Sequence, residues 1–260
     1  MEITKEKLIK EIKKKKELSG LSNQVVVDYL ESYIKKYNLS LEKLKEKEIK
    51  LLIKELRSQL RNLTGRFQKS TKNRLKLLNE DSIKELLATH SSTSERLNFY
   101  PELKKIIKEL KINSILDLGC GLNPLALAEK NIKYYASDIK EDDLSLVDKF
   151  FKKNSIKGKV FIQDIRKISS DLPKADICLL FKVLDIADKA NYKLAEKLIK
   201  NLSCRYILVS FATKTLSGRK MNFPRRKWLE HLLKNLGLKY KIISSDNEIF
   251  YLIDKIDNLL

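Results

Sequence analysis

The sequence predicts an α/β fold: a mostly parallel seven-stranded sheet ending in an antiparallel hairpin, preceded by an α-helical N-terminal domain. Three observations predict it. From Pro101 onward, short apolar β-rich runs alternate with helical ones, as in βαβ units. A glycine-bearing turn follows the first of these runs. Ahead of them, apolar residues recur at helical spacing. A chain of 260 residues suits a domain of roughly 150 residues with a smaller partner, here placed at 1–100 (helical, basic) and 101–260 (sheet).

In the first third, the helical runs are Ile3, Leu8, Ile12; then Val26, Tyr29, Leu30, Tyr33, Ile34, Tyr37; then Leu41, Leu44, Ile49, Leu52, Ile53, Leu56, Leu60. Gly20 stands as a stop between the first two, and Ser22 and Ser40 sit at N-cap positions. The last helix of this bundle runs into the basic Arg57–Lys76 region. Strands are expected at Ser114–Leu118, Lys133–Ser137, Lys159–Gln163, Ala175–Phe181, Arg205–Phe211, Lys239–Ser244 and Glu248–Ile253. Helices are expected near Leu122–Lys130, Asp142–Lys153, Lys189–Asn201 and Arg225–Leu236, with Trp228 packed on the sheet. Only Ser245–Asn247 separates the last two strands, too short for a crossover, so they should pair antiparallel.

Composition narrows the function. Lys and Arg number 54 against 34 Asp and Glu, a net +20, which suits a polyanionic partner such as nucleic acid or, more plainly, a lysine-rich solubilising surface. The distribution favours the former: Lys50–Asn79 carries Lys50, Lys54, Arg57, Arg61, Arg66, Lys69, Lys72, Arg74 and Lys76 against Glu55. Cys120, Cys178 and Cys204 form no CxxC pair, and His90 and His231 are the only histidines, so neither a disulfide framework nor a metal centre is expected. The N-terminus lacks the apolar core of a signal peptide and no run of roughly 18 apolar residues occurs, so a cytoplasmic protein is expected.

The chemistry gathers after the first strand, where Asp117-Leu118-Gly119-Cys120-Gly121-Leu122-Asn123-Pro124 leads into a helix. Glycine permits the sharp turn and a close ligand approach. Pro124 replaces the third glycine of a dinucleotide fingerprint, which disfavours NAD, and the opening Asp117 favours S-adenosylmethionine. Asp138 ends the second strand 21 residues later, where a carboxylate accepts both ribose hydroxyls. Asp164 follows the third strand, at a position that commonly faces an adenine amine. Each acid alone could be an ordinary turn residue; three in register with a glycine loop argue otherwise.

Asp117 to Ala126 is a distinctive string, DLGCGLNPLA, and the chain resembles the aminoglycoside-resistance 16S rRNA (guanine-N7) methyltransferases, the Arm or FmrO-type family. His90 to Leu97 followed by Tyr100, and Ser210 to Arg219, resemble two further family segments. The resemblance covers Thr89 to the C-terminus; over the N-terminal helices it is one of size, helicity and charge. It implies a class I, Rossmann-like methyltransferase core, S-adenosylmethionine as donor, and a helical domain docking on the 30S small subunit. It implies that His90, Ser92 and Arg96 approach the cofactor, Arg96 pairing with the methionine carboxylate as its fork allows. Gly119, Gly121, Asp138, Asp164, Ile165 and Leu180 complete the expected cofactor site. Arg57, Arg61, Arg66, Lys69, Lys72 and Arg74, with Lys182, Lys214 and Arg219 on loops after strands, are the expected RNA contacts. Phe211 or Phe181 is available as a wall for an extruded base.

Leu179 to Asp188 departs from the family's pattern: Asp185 replaces Pro, Ala187 replaces Leu, Asp188 replaces Glu, and Lys189-Ala190 stand where glutamines are usual. Ala212 replaces a Pro in the later segment. Another RNA position or atom, or a non-catalytic ribosome-assembly factor, therefore remains an alternative. A small-molecule methyltransferase is disfavoured by the basic helical region. No acid/base residue is expected, because guanine N7 offers a lone pair and bears no proton, so positioning and exclusion of water carry the reaction.

Overall fold

The structure, a computed structural model, describes residues 4–64, 72–167, 171–187, 192–215 and 218–255. It begins with α1 (Lys5–Lys13), α2 (Lys16–Ser19), α3 (Asn23–Tyr37) and α4 (Glu46–Thr64). Thr4 caps α1 by accepting from the Lys7 N–H at 3.3 Å, and α2 stops at Gly20. The apolar stripes of these helices close on one another, burying Leu8, Ile12, Leu18, Leu30, Leu52, Leu56 and Leu60.

Four short helices follow: α5 (Arg74–Asn79), α6 (Ile83–Ala88), α7 (Ser91–Glu95) and α8 (Tyr100–Glu109). Their apolar residues Leu78, Leu86, Leu87, Tyr100, Leu103 and Ile107 join the core on one face of the sheet, not that of the bundle. Packing therefore differs between the helices up to Thr64 and those from Arg74 onward.

The sheet comprises β1 (Ser114–Leu118), β2 (Lys133–Asp138), β3 (Gly158–Ile162), β4 (Ile177–Phe181), β5 (Tyr206–Ala212), β6 (Lys239–Ser244) and β7 (Glu248–Asp254), in the order β3-β2-β1-β4-β5-β7-β6. β1 to β5 run parallel; β7 pairs antiparallel with both β5 and β6. Between strands lie α9 (Pro124–Leu127), α10 (Glu141–Lys153), α11 (Leu184–Ala187), α12 (Lys193–Asn201) and α13 (Lys227–Asn235). α12 and α13 cover the second face, where Leu198, Ile199, Leu229 and Leu233 are buried. All seven strands fall where hydrophobic patterning expects them. The expected Leu122–Lys130 helix shrinks to the single turn of α9, with Pro124 at its start and Ala128 already extended.

The order reverses at β1, whose neighbours are β2 and β4, and ligands of open α/β sheets bind outside the carboxyl ends at such a switch. The bundle closes on the same edge. Ser22 N donates to Ile139 O at 3.0 Å and Glu141 N to Gly20 O at 2.9 Å.

Candidate functional site

A cleft partly open to solvent lies at the carboxyl ends of β1, β2, β3 and β4. Its floor is the turn after β1. Gly119 and Gly121 hold φ of +72° and +51°, a left-handed region costly for residues with a side chain. A Cβ on Gly119 would stand 2.6 Å from Val183 Cγ1, and one on Gly121 3.0 Å from His90 Cε1. The turn hangs on the end of β2, since Gly119 N and Cys120 N both donate to Ser137 O at 2.9 Å.

Asp138 faces the cleft, accepting from Gly121 N at 2.9 Å on Oδ2 and from Lys140 N at 3.0 Å on Oδ1. Each oxygen retains a lone pair for a ribose hydroxyl. Burial pushes its carboxyl up to about 6, and nearby Asp143 adds to the rise. Asp164, Ile165, Ser92 and His90 line the same cleft. Burial, with the charges of Arg74, Lys140, Arg96 and Lys182, holds His90 down at about 3, so its imidazole is neutral at physiological pH.

Two expected cofactor residues stand elsewhere. Leu180 is wholly buried in the core on the α12/α13 face, because neighbours on a strand alternate sides, and Phe181 and Val183 line the cleft instead. Arg96 is only 1% exposed and does not line the cleft; its carboxylate partner is Glu248, 2.8 Å from Nη2. Its Nη1 donates to Asn123 Oδ1 at 2.6 Å and its Nη2 to Ser92 Oγ at 3.1 Å. Arg96 thus braces two cleft-lining side chains from behind.

This architecture matches known proteins. Residues 59–251 match the family described as ribosomal RNA methyltransferase (FmrO). The chain belongs to that family. The 16S rRNA (guanine(1405)-N(7))-methyltransferase of Serratia marcescens is 28% identical over 220 residues, 81% of this chain and 86% of that protein. A protein of the same name from Micromonospora echinospora is 26% identical over 185 residues, 67% of this chain and 66% of that protein. Among solved structures, the 16S rRNA methyltransferase RmtF in complex with S-adenosyl-L-homocysteine shares the fold, with a TM-score of 0.77, 20% identity and coverage of 97% and 99%.

In this FmrO-family chain the expected RNA contacts divide. Arg74 is buried and pairs with Asp143 at 2.6 Å, its Nε donating to Thr89 Oγ1 at 2.8 Å; it joins α5 to α10 and faces no solvent. Arg57 donates to the Glu11 and Ile12 carbonyls at the end of α1, a C-cap in trans. Lys182 is buried between Glu95 and Glu248, the latter 3.2 Å away, with φ +58°. Arg61 remains on the surface, paired with Glu17 at 2.7 Å, and Lys72 and Arg219 are exposed. Lys214 is half-buried, and its backbone forms an antiparallel bridge with that of Lys220. Arg66 and Lys69 lie outside the described residues, as do Asp188, Lys189 and Ala190.

Phe211 is fully buried against Trp228 and Tyr251, so it is core and no wall for a base; Trp228 packs as expected. Phe181, 4% exposed, lines the cleft under the Arg96 guanidinium, 4.6 Å from its ring centroid. Asp185, the departure from the family's Pro, pairs with Arg226 at 2.9 Å and ties α11 to the start of α13. Sequence reading missed Asn123, Arg166, Leu63 and Glu248. Glu248 carried a signal, an acid opening an otherwise apolar strand; Leu63 carried none, since only tertiary packing brings α4 to the cleft. Among the described residues no cluster of metal-ligating side chains occurs, and no helix is long and apolar enough to cross a membrane.

Proposed function

We propose that this chain is an S-adenosylmethionine-dependent methyltransferase that modifies guanine N7 in 16S rRNA, on the assembled 30S subunit in the cytoplasm, with aminoglycoside resistance as a consequence. The observation that carries the reading is the cleft itself. A glycine turn, Asp138 and Asp164 meet at the carboxyl edge of the sheet in a chain of the FmrO family. The residues fit the cofactor by their chemistry. Asp138 keeps acceptor capacity for the ribose, Asp164 for the adenine amine, and the glycine turn leaves space that a Cβ would fill. Bound S-adenosylmethionine supplies an electrophilic methyl group on a sulfonium.

The protein's part is positioning. His90, neutral at physiological pH, and the buried Phe181 give the cleft an uncharged wall beside its carboxylates. Arg96, clamped by Glu248, fixes Ser92 and Asn123. No general base is needed at guanine N7, which carries no proton. The RNA approaches over the exposed cations of the bundle and of the loop after β5, by shape and phosphate contacts.

The test is transfer of labelled methyl to purified 30S subunits, free 16S rRNA, tRNA and a no-RNA control, with the modified nucleoside identified by mass spectrometry. N7-methylguanosine on 30S subunits alone is the expected outcome. Label in tRNA or on another atom would overturn the substrate assignment, and tight cofactor binding without label would favour a non-catalytic RNA-binding factor.

A further inference from the structure

Asp164 reaches the cleft in the grip of a residue outside the glycine and carboxylate motif. Arg166, two positions on, turns back and takes the carboxylate in its fork. Nε donates to Oδ1 at 3.0 Å and Nη2 to Oδ2 at 2.5 Å, while the Arg166 backbone N–H adds a third bond to Oδ1 at 3.0 Å. A guanidinium held bidentately fixes the plane of its carboxylate as well as its charge. Oδ2 keeps a lone pair for a further donor.

Arg166 is itself seated. Its Cζ lies 4.8 Å from the centroid of the Tyr29 ring, a residue of α3, within cation–π range. The adjoining Lys167 pairs with Asp28 on the same helix at 3.3 Å. Leu63 of α4 lines the cleft together with Arg166 and Asp164. The helical bundle therefore touches the adenosine end of the cleft through two helices. A purely electrostatic pair would need neither the fork nor the ring beneath it.

We propose that Arg166, seated on Tyr29 of the helical bundle, is a positioning residue that aims the Asp164 carboxylate at the exocyclic amine of the cofactor's adenine, so that the bundle helps set the purine selectivity of the cleft. This rests on reading the cleft as the S-adenosylmethionine site. An aimed carboxylate accepts from an adenine amine and repels the carbonyl oxygen of hypoxanthine, so discrimination between the two bases reports orientation.

The experiment is calorimetric binding of S-adenosylhomocysteine and S-inosylhomocysteine to the full chain and to Arg166→Ala, Arg166→Lys and Tyr29→Leu, with thermal unfolding as a control for folding. The wild type should prefer the adenine compound. Arg166→Ala should bind it roughly tenfold or more weakly, the worth of one charge-assisted hydrogen bond, and lose most of the preference. Arg166→Lys keeps the charge without the fork and should restore only part of it; Tyr29→Leu should fall between wild type and Arg166→Ala. Wild-type binding with the preference intact in all folded variants would overturn the inference alone. Failure of the wild type to bind S-adenosylhomocysteine would overturn the cofactor reading, and this inference with it.

Discussion

At the scale of single residues, the first strand carries an acid that burial has altered. Asp117 is fully buried and accepts from the Tyr134 hydroxyl at 2.8 Å. Burial raises its carboxyl from 3.8 to about 7, against the lowering effects of Tyr134 and Arg96. Between about pH 4 and 7 the unfolded chain releases this proton while the folded chain keeps it. Folding stability therefore falls as pH rises through that window and levels off above it. Asp117→Asn keeps an acceptor for Tyr134 and removes the titration, so its stability relative to wild type should increase from pH 4 to pH 7. Urea midpoints of both proteins at pH 4, 5.5, 7 and 8 check this. His90 has the opposite sign, its folded value of about 3 lying below the ordinary 6.5, and it cancels in the difference between the two proteins. A difference constant with pH would mean that Asp117 ionises as readily folded as unfolded.

At the scale of elements, local rules carried most of the information. Strand boundaries follow from short apolar runs bounded by polar residues, which is why β1 and β6 coincide with their expected spans. The glycine turn and its acids are equally local, being set by neighbouring strand ends. What sequence reading misplaced depends on distant partners. Arg74 and Arg57 look like members of one basic stripe, yet their partners, Asp143 and the end of α1, lie 69 and 46 positions away, and each has become a strut between helices. Both make packing contacts, Arg74 buried and Arg57 half-exposed, so the docking role proposed above would rest first on the exposed cations. Lys15, Lys50, Lys54 and Arg61 line a shallow depression on the bundle. Reversing Lys50 and Lys54 to Glu should lower methylation of 30S subunits at least tenfold while leaving S-adenosylhomocysteine affinity and unfolding unchanged, as expected of phosphate contacts. Unaltered methylation would remove this face from the docking surface. The loop after β5 carries a second signal that periodicity cannot give. Phe223 is 81% exposed, with Arg219, Lys220 and Arg225 close in sequence, and Arg226 ties that loop to Asp185 beside β4. With Phe211 in the core, Phe223 is the solvent-exposed aromatic of this loop, and the proposed RNA substrate would meet it as a stacking surface. Phe223→Ala should reduce kcat/KM for subunits by about tenfold, within the range for a lost stacking contact, with cofactor affinity unchanged; equal kcat/KM would refute the role.

At the scale of the whole molecule, the bundle and the sheet share hydrogen bonds, apolar contacts and the walls of the cleft. Ser22 and Gly20 bond to the segment after β2, Ile139 and Ile162 pack against the bundle core, and Leu63 and Tyr29 reach the cleft and its Arg166. A ligand held at that junction stabilises both parts at once, since binding to the folded state alone adds RT ln(1 + [L]/Kd), about 2.7 kcal/mol at a hundredfold excess over Kd. S-adenosylhomocysteine should therefore raise one cooperative unfolding transition, and should slow amide exchange in α3 and α4 as well as in β1 and β2. Calorimetry and hydrogen exchange with and without the compound check both expectations. Two separate transitions, with only the sheet's responding, would mean that the bundle rests against the cleft without contributing to it. A single shifted transition would instead show that the bundle and the sheet unfold as one unit around the cleft, and linkage makes any effect of rRNA docking on cofactor affinity equal to the effect of the cofactor on docking.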